Sequence, residues 1–267
     1  MEPLSVEARA LQGMAAVVTG AGRGIGAAIA CRFAQAGCDL VLVARSREQL
    51  EGVAEAAREH GGTVVTLAAD LADLSTADAV VGTAMSRLGR LDVLVNNAGG
   101  AAPTPFLDTT AQDLDDAFHF NVTAGFELTK RAVPHLLVSD RAAVVNLSSR
   151  MDRLVARGLL TYGTVKAAMS HMTRLLAVEL APRIRVNGIA PGVVATQSLD
   201  AALDETTRRQ IADATPLRRL ASVQDVANTA LWLATEQSSY ITGKIVELDG
   251  GAEWPVFPNE APDLAGP

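Results

Sequence analysis

The chain has little cysteine and few aromatic residues. Among 267 residues there are two cysteines, Cys31 and Cys38, and aromatic side chains make up 4%. The two cysteines have neither CxxC spacing nor a nearby histidine, so the sequence predicts neither a disulfide framework nor a zinc site. We expect two reduced, partly buried thiols.

The chain also lacks a surplus of basic residues and any long apolar run. The 23 Lys and Arg residues are outnumbered by 30 Asp and Glu, for a net charge of -7, which argues against a general binder of nucleic acid or anionic membranes. No run approaches the ~20 apolar residues of a membrane span, and the first residues do not form a basic segment followed by an apolar stretch. We expect a soluble, cytoplasmic protein with a small-molecule partner, without nucleic acid or membrane partners.

Apolar residues are abundant, at 49%, and fall into short runs. Runs typical of buried strands lie at 15–19, 40–44, 63–68, 93–95, 143–147, 184–189 and 245–248. Helical patterns separate them, and this alternation predicts right-handed crossovers and a parallel sheet. The expected fold is a single α/β domain over residues 1–267, doubly wound and Rossmann-like, with a seven-stranded, mainly parallel sheet and helices on both faces. Terminal extensions are expected at about 1–12 and 254–267.

A glycine-rich turn with the sequence TGAGRGIG, at residues 19–26, separates the first strand from its helix. Backbone N–H groups and the helix dipole can receive a pyrophosphate there, and the missing side chains let it approach. Two frames of the dinucleotide-binding pattern fit: Gly22, Gly24 and Ala27, or Gly20, Gly24 and Gly26. A turn that merely packs a helix on a strand is the alternative, but the order of strand, turn and helix favours phosphate binding.

The end of the second strand bears on the choice of nucleotide. NAD sites usually carry an acid there, about 20 residues beyond the turn, to hold the ribose 2′-hydroxyl. This strand ends instead in Ala44 and Arg45. Without a carboxylate a 2′-phosphate is not repelled, and Arg45, helped by Arg23 and Arg47, supplies charge-assisted donors. NADP(H) is favoured, and NAD(H) is the alternative if these arginines are solvated loop charges.

Tyr162 and Lys166 lie four residues apart in a helical pattern, so their side chains share one face. An ammonium fixed beside a phenol favours the phenolate, and we expect it to lower the phenol pKa from about 10 toward the working range. Such a pair is typical of a proton donor or acceptor for a carbonyl or an alcohol. A tyrosine that caps the core and a lysine that extends to water would explain the same spacing without catalysis.

With its other motifs, the chain resembles the short-chain dehydrogenase/reductase family along nearly its whole length. The matching segments are the glycine turn at 19–26, Asp70 with Leu71, NNAG at 96–99, Asn121, Ser149, Tyr162 with Lys166, and Pro191 with Gly192. Their joint order and spacing are highly specific. The resemblance implies a Rossmann-like fold, NAD(P)-dependent oxidoreduction at a CH–OH or C=O group, and a homotetramer or homodimer.

The resemblance also implies catalytic roles. Tyr162 would be the general acid in reduction and the general base in oxidation, while Lys166 would lower its pKa and hold the nicotinamide ribose. Ser149, thirteen residues before Tyr162 and therefore favoured over Ser148, would donate to the substrate oxygen. Asn121 would hold a water for a proton relay. Ordinary capping or turn roles for Asn121 and the serines are the alternative.

The cofactor contacts that the resemblance implies are spread over several strand ends. Asp70 would accept from the adenine amine and Leu71 would donate from its backbone, although a helix cap or strand-end turn explains Asp70 about equally well. The other expected contacts are Gly20, Arg23, Gly24, Ile25, Gly26, Arg45, Asn97, Ala98, Gly99, Tyr162, Lys166, Pro191, Gly192, Val194 and Thr196. No metal is expected, because the nicotinamide ring carries the hydride.

The segment between Ser149 and Tyr162 carries Arg150, Arg153 and Arg157. These arginines could meet an acidic or CoA-like substrate group, but pairing with acids such as Asp152, or solvation, is the favoured interpretation. Apolar residues of this segment and of a substrate lid at about 193–218 predict an apolar pocket, formed by Met151, Leu154, Leu159, Val193, Val194 and Leu199.

The predicted function is therefore NADPH-linked reduction of a ketone to a secondary alcohol, or the reverse. The substrate is expected to be apolar: a lipid, or a steroid-like, alicyclic or oxoacyl compound. An NAD-preferring alcohol dehydrogenase is one alternative, and a non-catalytic dinucleotide sensor or scaffold is another.

Overall fold

The computed structural model describes residues 9–197, 199 and 203–254. Nine strands occur in the described part of the chain: β1 (Ala15–Thr19), β2 (Asp39–Ala44), β3 (Val64–Ala68), β4 (Val93–Asn96), β5 (Ala143–Leu147), β6 (Arg185–Pro191), β7 (Val194–Ala195), β8 (Ala221–Ser222) and β9 (Ile245–Leu248). Seven of them form one sheet in the order β3-β2-β1-β4-β5-β6-β9, and every pair is parallel. The short strands β7 and β8 pair separately, also in parallel.

The helices within the described ranges are α1 (Gly24–Gln35), α2 (Arg47–Arg58), α3 (Thr76–Leu88), α4 (Ala111–Phe118), α5 (Ala124–Leu136), α6 (Leu160–Leu180), α7 (Glu205–Ala214) and α8 (Val223–Ala234). A five-residue π-helix, His119–Thr123, joins α4 to α5. A single 3₁₀ turn, Arg150–Asp152, follows β5. These two irregular elements carry or adjoin Asn121 and Ser149.

The sheet has a hydrophobic core on each face. Along β1, Ala16 and Val18 pack with α1, α2 and α8, whereas Val17 between them packs with α3, α5 and α6. This alternation follows from the two-residue period of a strand. All five residues of β1 are buried, which explains why its first four residues are apolar.

The chain order places a crevice at the carboxyl ends of β1 and β4. These strands are neighbours, but from β1 the chain proceeds to β2 and β3 on one side, and from β4 to β5 and β6 on the other. Helices diverge at such a switch point and leave room for a ligand. The glycine turn follows β1 and the NNAG segment follows β4, so the fold brings both to the crevice.

The predicted fold class is confirmed, and each predicted strand overlaps an observed one. The structure adds α4, α7, α8 and the β7–β8 pair, which the sequence analysis did not predict. Of the expected terminal extensions, residues 1–8 and 255–267 lie outside the described residues, as do 198 and 200–202 of the expected lid. Leu11, within the first extension, is fully buried, and its N–H donates to the Ala36 carbonyl at 3.0 Å.

The described residues lack the features of two other classes of protein. No helix there is long and apolar enough to cross a bilayer. No group of three or more His, Cys, Asp or Glu side chains in the same residues is arranged to hold a metal ion. Cys31 and Cys38 are both free thiols, the first half-buried and the second buried.

Candidate active site

The glycine turn requires glycine at three positions. Gly20 and Gly24 have φ of +62° and +57°, which side chains with a Cβ rarely adopt. A Cβ on Gly26 would lie 2.2 Å from the Gly20 carbonyl oxygen. Two alignments of the dinucleotide-binding pattern fit the sequence. The structure favours the one with Gly20, Gly24 and Gly26, because glycine is needed at each of these three positions.

Helix α1 begins directly at this turn. Its N-cap residue, Arg23, makes no side-chain capping hydrogen bond, and the first turn carries no acidic residue. The first N–H groups of the helix, with the positive end of its dipole, are therefore available to an anion. Ile25 is half-buried and packs against the core beneath the turn.

Asn97 and Thr19 fix the turn to the end of β4. The Asn97 side chain donates to the carbonyls of Thr19 and Gly20, at 2.9 and 3.2 Å. In return, Thr19 Oγ1 accepts from the backbone N–H groups of Asn97 and Ala98, at 2.9 and 3.0 Å. The Asn97 side chain is thus bonded within the protein, and its neighbours Ala98 and Gly99 border the crevice.

A cavity of about 570 Å³ opens at this crevice. Predicted residues that line it are Gly20, Arg23, Arg45, Asp70, Leu71, Asn97, Ala98 and Gly99, together with Gly22 of the alternative frame. Ser46, Gln49 and Phe120 also line it and were not predicted. Ser46 caps α2 by accepting from the Gln49 N–H at 3.3 Å, and a serine before a helical pattern is a signal that could have located it.

Charges are arranged unevenly around this cavity. Arg23 and Arg45 both line it and are exposed. Asp70 lines the same cavity, and its carboxylate accepts from the Ala72 N–H at 3.0 Å. The strand-end turn considered for Asp70 is therefore present, while the position after β2 presents an arginine and no acid.

The segment after β6 returns toward the glycine turn. Pro191 ends β6, and the Gly192 N–H donates to the Leu248 carbonyl at 2.8 Å. Val194 is buried in the main core, and a Cβ on Gly24 would lie 3.7 Å from Thr196 Cγ2. Of these predicted contacts, Thr196 is the one that the structure places against the glycine turn.

Tyr162 and Ser149 are joined by a hydrogen bond. Ser149 is buried where the chain leaves β5, and its Oγ also accepts from the Met151 N–H at 3.2 Å. Burial raises the pKa of Tyr162, and the hydrogen bond with Ser149 offsets only part of that rise. The phenol is therefore protonated near neutral pH.

Lys166 is buried one helical turn beyond Tyr162. Its Nζ lies 5.7 Å from the centre of the Tyr162 ring and donates to the Leu147 carbonyl at 3.1 Å. Burial lowers the pKa of Lys166 to about 8. The predicted fall of the Tyr162 pKa is not found, because desolvation of the phenol outweighs the effect of an ammonium that is itself desolvated and bonded elsewhere.

Asn121 and Gly99 complete the arrangement. Asn121, in the π-helix, is buried and bonded through its side chain to both backbone groups of Gly100. A Cβ on Gly99 would lie 2.6 Å from Asn121 Oδ1 and 3.0 Å from Lys166 Nζ. The structure therefore places the predicted residues Asn121 and Lys166 side by side at the end of the cavity that Gly99 lines.

Comparison with known proteins decides the family. A family model described as Enoyl-(Acyl carrier protein) reductase matches residues 20–253. An uncharacterized oxidoreductase of Mycobacterium tuberculosis is 47% identical over 251 residues, which cover 93% of this chain and 95% of the relative. The chain belongs to the short-chain dehydrogenase/reductase family.

Solved structures of other short-chain dehydrogenase/reductases share the whole fold. A 7α-hydroxysteroid dehydrogenase, solved with NADH and 7-oxo glycochenodeoxycholic acid, superposes with a TM-score of 0.90 at 33% identity, covering 95% of this chain and 99% of its own. L-sorbose reductase from Gluconobacter frateurii, solved with NADPH and L-sorbose, gives a TM-score of 0.86 at 31% identity, covering 92% and 98%. This short-chain dehydrogenase/reductase is an enzyme that acts on alcohol or carbonyl groups with NAD(P)(H).

Two of the arginines after Ser149, Arg150 and Arg153, contact the C-terminal part of the described chain. Arg150 is buried and donates to the Trp254 carbonyl. Arg153 pairs with three acids, at 2.6 Å from Glu247, 3.4 Å from Glu253 and 3.7 Å from Asp249. The favoured interpretation, pairing with acids, holds for Arg153, but its partners come from the end of the described chain and not from Asp152.

The residues expected to form one apolar pocket do not share a cavity. Met151, Leu154 and Leu159 line a cavity of about 920 Å³, bordered by Gly163, Thr164 and Ala167 of α6. Thr164 lies on the opposite face of α6 from Tyr162 and Lys166, and Gly163 and Ala167 lie to the side, because a helix turns about 100° per residue. Val193 lines a different cavity of about 560 Å³, and Val194 lies in the core. Sequence apolarity alone did not distinguish the two faces of the segment.

Proposed function

We propose that this short-chain dehydrogenase/reductase reduces a ketone to a secondary alcohol with NADPH, or catalyses the reverse, through Asn121, Ser149, Tyr162 and Lys166. One observation carries the proposal. The Tyr162 phenol is hydrogen-bonded to Ser149 and lies beside the buried Lys166, whose Nζ adjoins Gly99 of the dinucleotide-sized cavity. A non-catalytic dinucleotide sensor would have no need for this pair beside its nucleotide site.

The geometry suits proton transfer in the direction of reduction. Tyr162 has a raised pKa and thus carries the proton that a reduced carbonyl oxygen must receive. Ser149, already bonded to that phenol, donates to the same oxygen as negative charge builds on it. Lys166, with a pKa of about 8, is mainly an ammonium at pH 7 and stabilises the phenolate that remains. Bound NADPH supplies the hydride.

The fit of the nucleotide is supported by the start of α1 beside the cavity. The first turn of α1 has neither a side-chain cap nor an acidic residue, and Gly20, Gly22 and Arg23 line the cavity. We propose that the glycine turn holds the pyrophosphate, and that Asp70, Leu71 and the 97–99 segment hold the adenosine part. Ile25, Pro191, Gly192, Val194 and Thr196 remain proposed contacts of the turn and of the nicotinamide side.

The preference for NADPH over NADH rests on Arg45 and Arg23. Both line the cavity, and Arg45 occupies the position after β2 where NAD sites usually carry an acid. The two similar solved structures do not indicate which nucleotide this protein prefers, since one holds NADH and the other NADPH. NAD(H) is the alternative cofactor.

For the substrate we propose an apolar ketone or its alcohol, of the lipid, steroid-like, alicyclic or oxoacyl classes. Similarity to a 7α-hydroxysteroid dehydrogenase bound to a 7-oxo bile acid makes an oxo-steroid the first compound to assay. We propose that residues 193–218 form a lid over the bound substrate. We also propose that residues 1–267 form a single functional domain with terminal extensions at 1–12 and 254–267. The proposed location is the cytoplasm.

We also propose a homotetramer or homodimer built on α5 and α6. These helices and the residues just beyond α5 expose large apolar side chains: Phe126, Leu137, Val138, Leu160, Leu175 and Val178. Exposed apolar area on two long helices is typical of an interface between subunits. Sedimentation at micromolar concentration tests this, and a monomer there would contradict it.

The proposed activity is tested by following NADPH oxidation against a panel of oxo-steroids, alicyclic ketones, quinones and oxoacyl thioesters. At least one ketone should be reduced by the wild-type protein. Tyr162→Phe should bind NADPH as before but lose turnover by about a hundredfold or more. The fully exposed Tyr240 provides the matched control, since Tyr240→Phe should change nothing. Undiminished turnover in Tyr162→Phe would refute the mechanism, and tight NADPH binding without reduction of any carbonyl would favour a sensor.

A further inference from the structure

The adjacent serines at the end of β5 point to different partners. Ser149 is bonded to Tyr162, whereas Ser148 Oγ lies 3.0 Å from the Lys166 carbonyl and 2.6 Å from Ser170 Oγ. Both Ser148 and Ser170 are buried. Ser148 is therefore bonded to the helix that carries Tyr162 and Lys166, whereas Ser149 faces the Tyr162 phenol.

Ser170 links Ser148 to a carboxylate. Its Oγ donates to Asp152 Oδ2, and an ionised carboxylate can only accept. Ser170 uses its single proton on Asp152, and Ser148 has one proton for two acceptors, the Lys166 carbonyl and Ser170 Oγ. These contacts thus link the Lys166 carbonyl, Ser148, Ser170 and Asp152 in one chain.

Asp152 also closes the turn that Ser149 begins. The Asp152 N–H donates to the Ser149 carbonyl at 2.9 Å, and the Met151 N–H donates to Ser149 Oγ at 3.2 Å. The backbone of Asp152 is therefore tied to Ser149, while its side chain is tied to Ser170, one helical turn beyond Lys166. We term the linked side chains of Ser148, Ser170 and Asp152 the Asp152 brace. The brace forms a ring of contacts, because Ser148 and Ser149 are adjacent in the chain and Asp152 is bonded to both Ser149 and Ser170.

We propose that Asp152 and Ser170 are positioning residues. Through the Asp152 brace they keep the Ser149 hydroxyl in the position where it faces the Tyr162 phenol. The inference rests on the proposed function of Ser149 and Tyr162. Neither residue has to touch the substrate: Ser170 is bonded on both sides within the protein, and Asp152 borders the cavity on the outer face of α6. Without the brace, the turn at 149–152 is held to α6 by fewer contacts, and the Ser149 hydroxyl is free to shift.

The test compares Ser170→Ala with a matched variant, Ser139→Ala. Ser139 is also buried and also donates to a carboxylate, Asp92 Oδ1, at 2.6 Å, but it precedes β5 at the opposite edge of the sheet. Both variants should lose some thermal stability. Only Ser170→Ala should lose kcat, by about tenfold or more, with NADPH affinity unchanged, because small displacements of a catalytic group are costly. The substrate is whichever panel ketone the wild-type protein reduces best.

Substitutions at Asp152 add a test of the hydrogen bond itself. Asp152→Asn keeps an oxygen that accepts from Ser170 and should retain most of kcat, whereas Asp152→Leu, of similar size, should behave as Ser170→Ala does. Equal kcat in Ser170→Ala and Ser139→Ala would overturn the inference and leave a purely structural role.

A second readout does not depend on turnover. Hydrogen exchange at the amides of Met151 and Asp152 should be faster in Ser170→Ala than in the wild type or in Ser139→Ala, and unchanged exchange would contradict the brace. If the wild type reduces no ketone, or if Tyr162→Phe stays active, the proposed function fails. If Tyr162→Phe is inactive but Ser170→Ala keeps the kcat of Ser139→Ala, only the brace fails.

Discussion

Asn121 and Gly100 are joined by two reciprocal hydrogen bonds. The Gly100 N–H donates to Asn121 Oδ1 at 2.8 Å, and Asn121 Nδ2 donates to the Gly100 carbonyl at 2.9 Å. The other Nδ2 hydrogen is directed to the Ala117 carbonyl, also at 2.9 Å. Both N–H donors of the Asn121 amide are thus bonded to backbone carbonyls. A water that relays protons at Asn121 can therefore bind to this residue only by donating to one of its oxygen atoms.

We predict that Asn121→Asp lowers both stability and turnover. A carboxylate oxygen would replace the amide nitrogen that faces the carbonyls of Gly100 and Ala117, and unpaired buried acceptors typically cost about 1–3 kcal/mol. The segment that holds Gly99 beside Lys166 would shift, so kcat should fall by about tenfold or more. Urea unfolding and steady-state kinetics measure the two effects.

Asn187 offers the control for this substitution. Its Nδ2 donates to the Ile241 carbonyl at 2.8 Å, and its Oδ1 accepts from the Lys244 N–H at 3.0 Å, so it makes the same kind of backbone clamp on β6. Asn187→Asp should lose stability and keep kcat. A similar loss of kcat in both variants would show that Asn121 has no special connection to the site.

Gly99→Ala should impair the site without affecting the rest of the fold. The added Cβ would stand 2.6 Å from Asn121 Oδ1 and 3.0 Å from Lys166 Nζ, and both atoms belong to buried, hydrogen-bonded side chains. We expect weaker NADPH binding and a kcat reduced by about tenfold or more. Gly82→Ala in α3, where a Cβ meets nothing within 4 Å, is the control and should be neutral or stabilising. Wild-type kinetics in Gly99→Ala would contradict this account.

The parts of the fold that were predictable are those in which local sequence and tertiary environment agree. The run at β1 is apolar because the strand is buried on both faces, and the glycine turn is recognisable because backbone conformation and close approach both demand glycine. Helices α7 and α8 were missed. Their bounding strands β7 and β8 are only two residues long, too short for the alternation of a strand to show.

The finer electrostatics of the site could not be predicted from spacing. The four-residue interval correctly places Tyr162 and Lys166 on one face, but it gives no information on desolvation, which raises the Tyr162 pKa and lowers that of Lys166. The partners of Arg153 were equally inaccessible, because Glu247 and Glu253 lie about a hundred residues away along the chain and meet it only in the folded protein.

Arg45→Asp should change the preference between the two nucleotides. The substitution removes a cation from the cavity at the end of β2 and places a carboxylate where it can accept from a ribose 2′-hydroxyl. We expect the NADPH dissociation constant to rise by about tenfold or more, since hydrogen bonds to charged groups contribute about 1.5–3 kcal/mol, and NADH binding to be kept or improved. Fluorescence titration with each nucleotide measures both values.

Arg47, which we expected from the sequence to help Arg45, begins α2 two residues later, is exposed, and lies outside the residues that line the cavity, so the structure does not support that expectation. Arg47→Asp therefore provides the comparison. Its effect on NADPH binding should be a small fraction of that of Arg45→Asp. Similar dissociation constants for NADPH and NADH in the wild-type protein would contradict the proposed preference.

The burial of Lys166 predicts how stability depends on pH. Its pKa is about 8 in the folded protein, against 10.5 for a lysine in water, so between these two values the unfolded chain binds more protons than the folded one. Stability therefore rises with pH across this window, and from pH 8 to pH 10 the gain from this one group is on the order of 2 kcal/mol. Other groups also titrate there, among them Cys38, whose pKa burial raises, so the wild type must be compared with Lys166→Met. Urea unfolding of both proteins without nucleotide should show the wild type gaining stability relative to the variant as the pH rises. Parallel pH profiles for the two proteins would mean that the ammonium is not desolvated as the structure indicates.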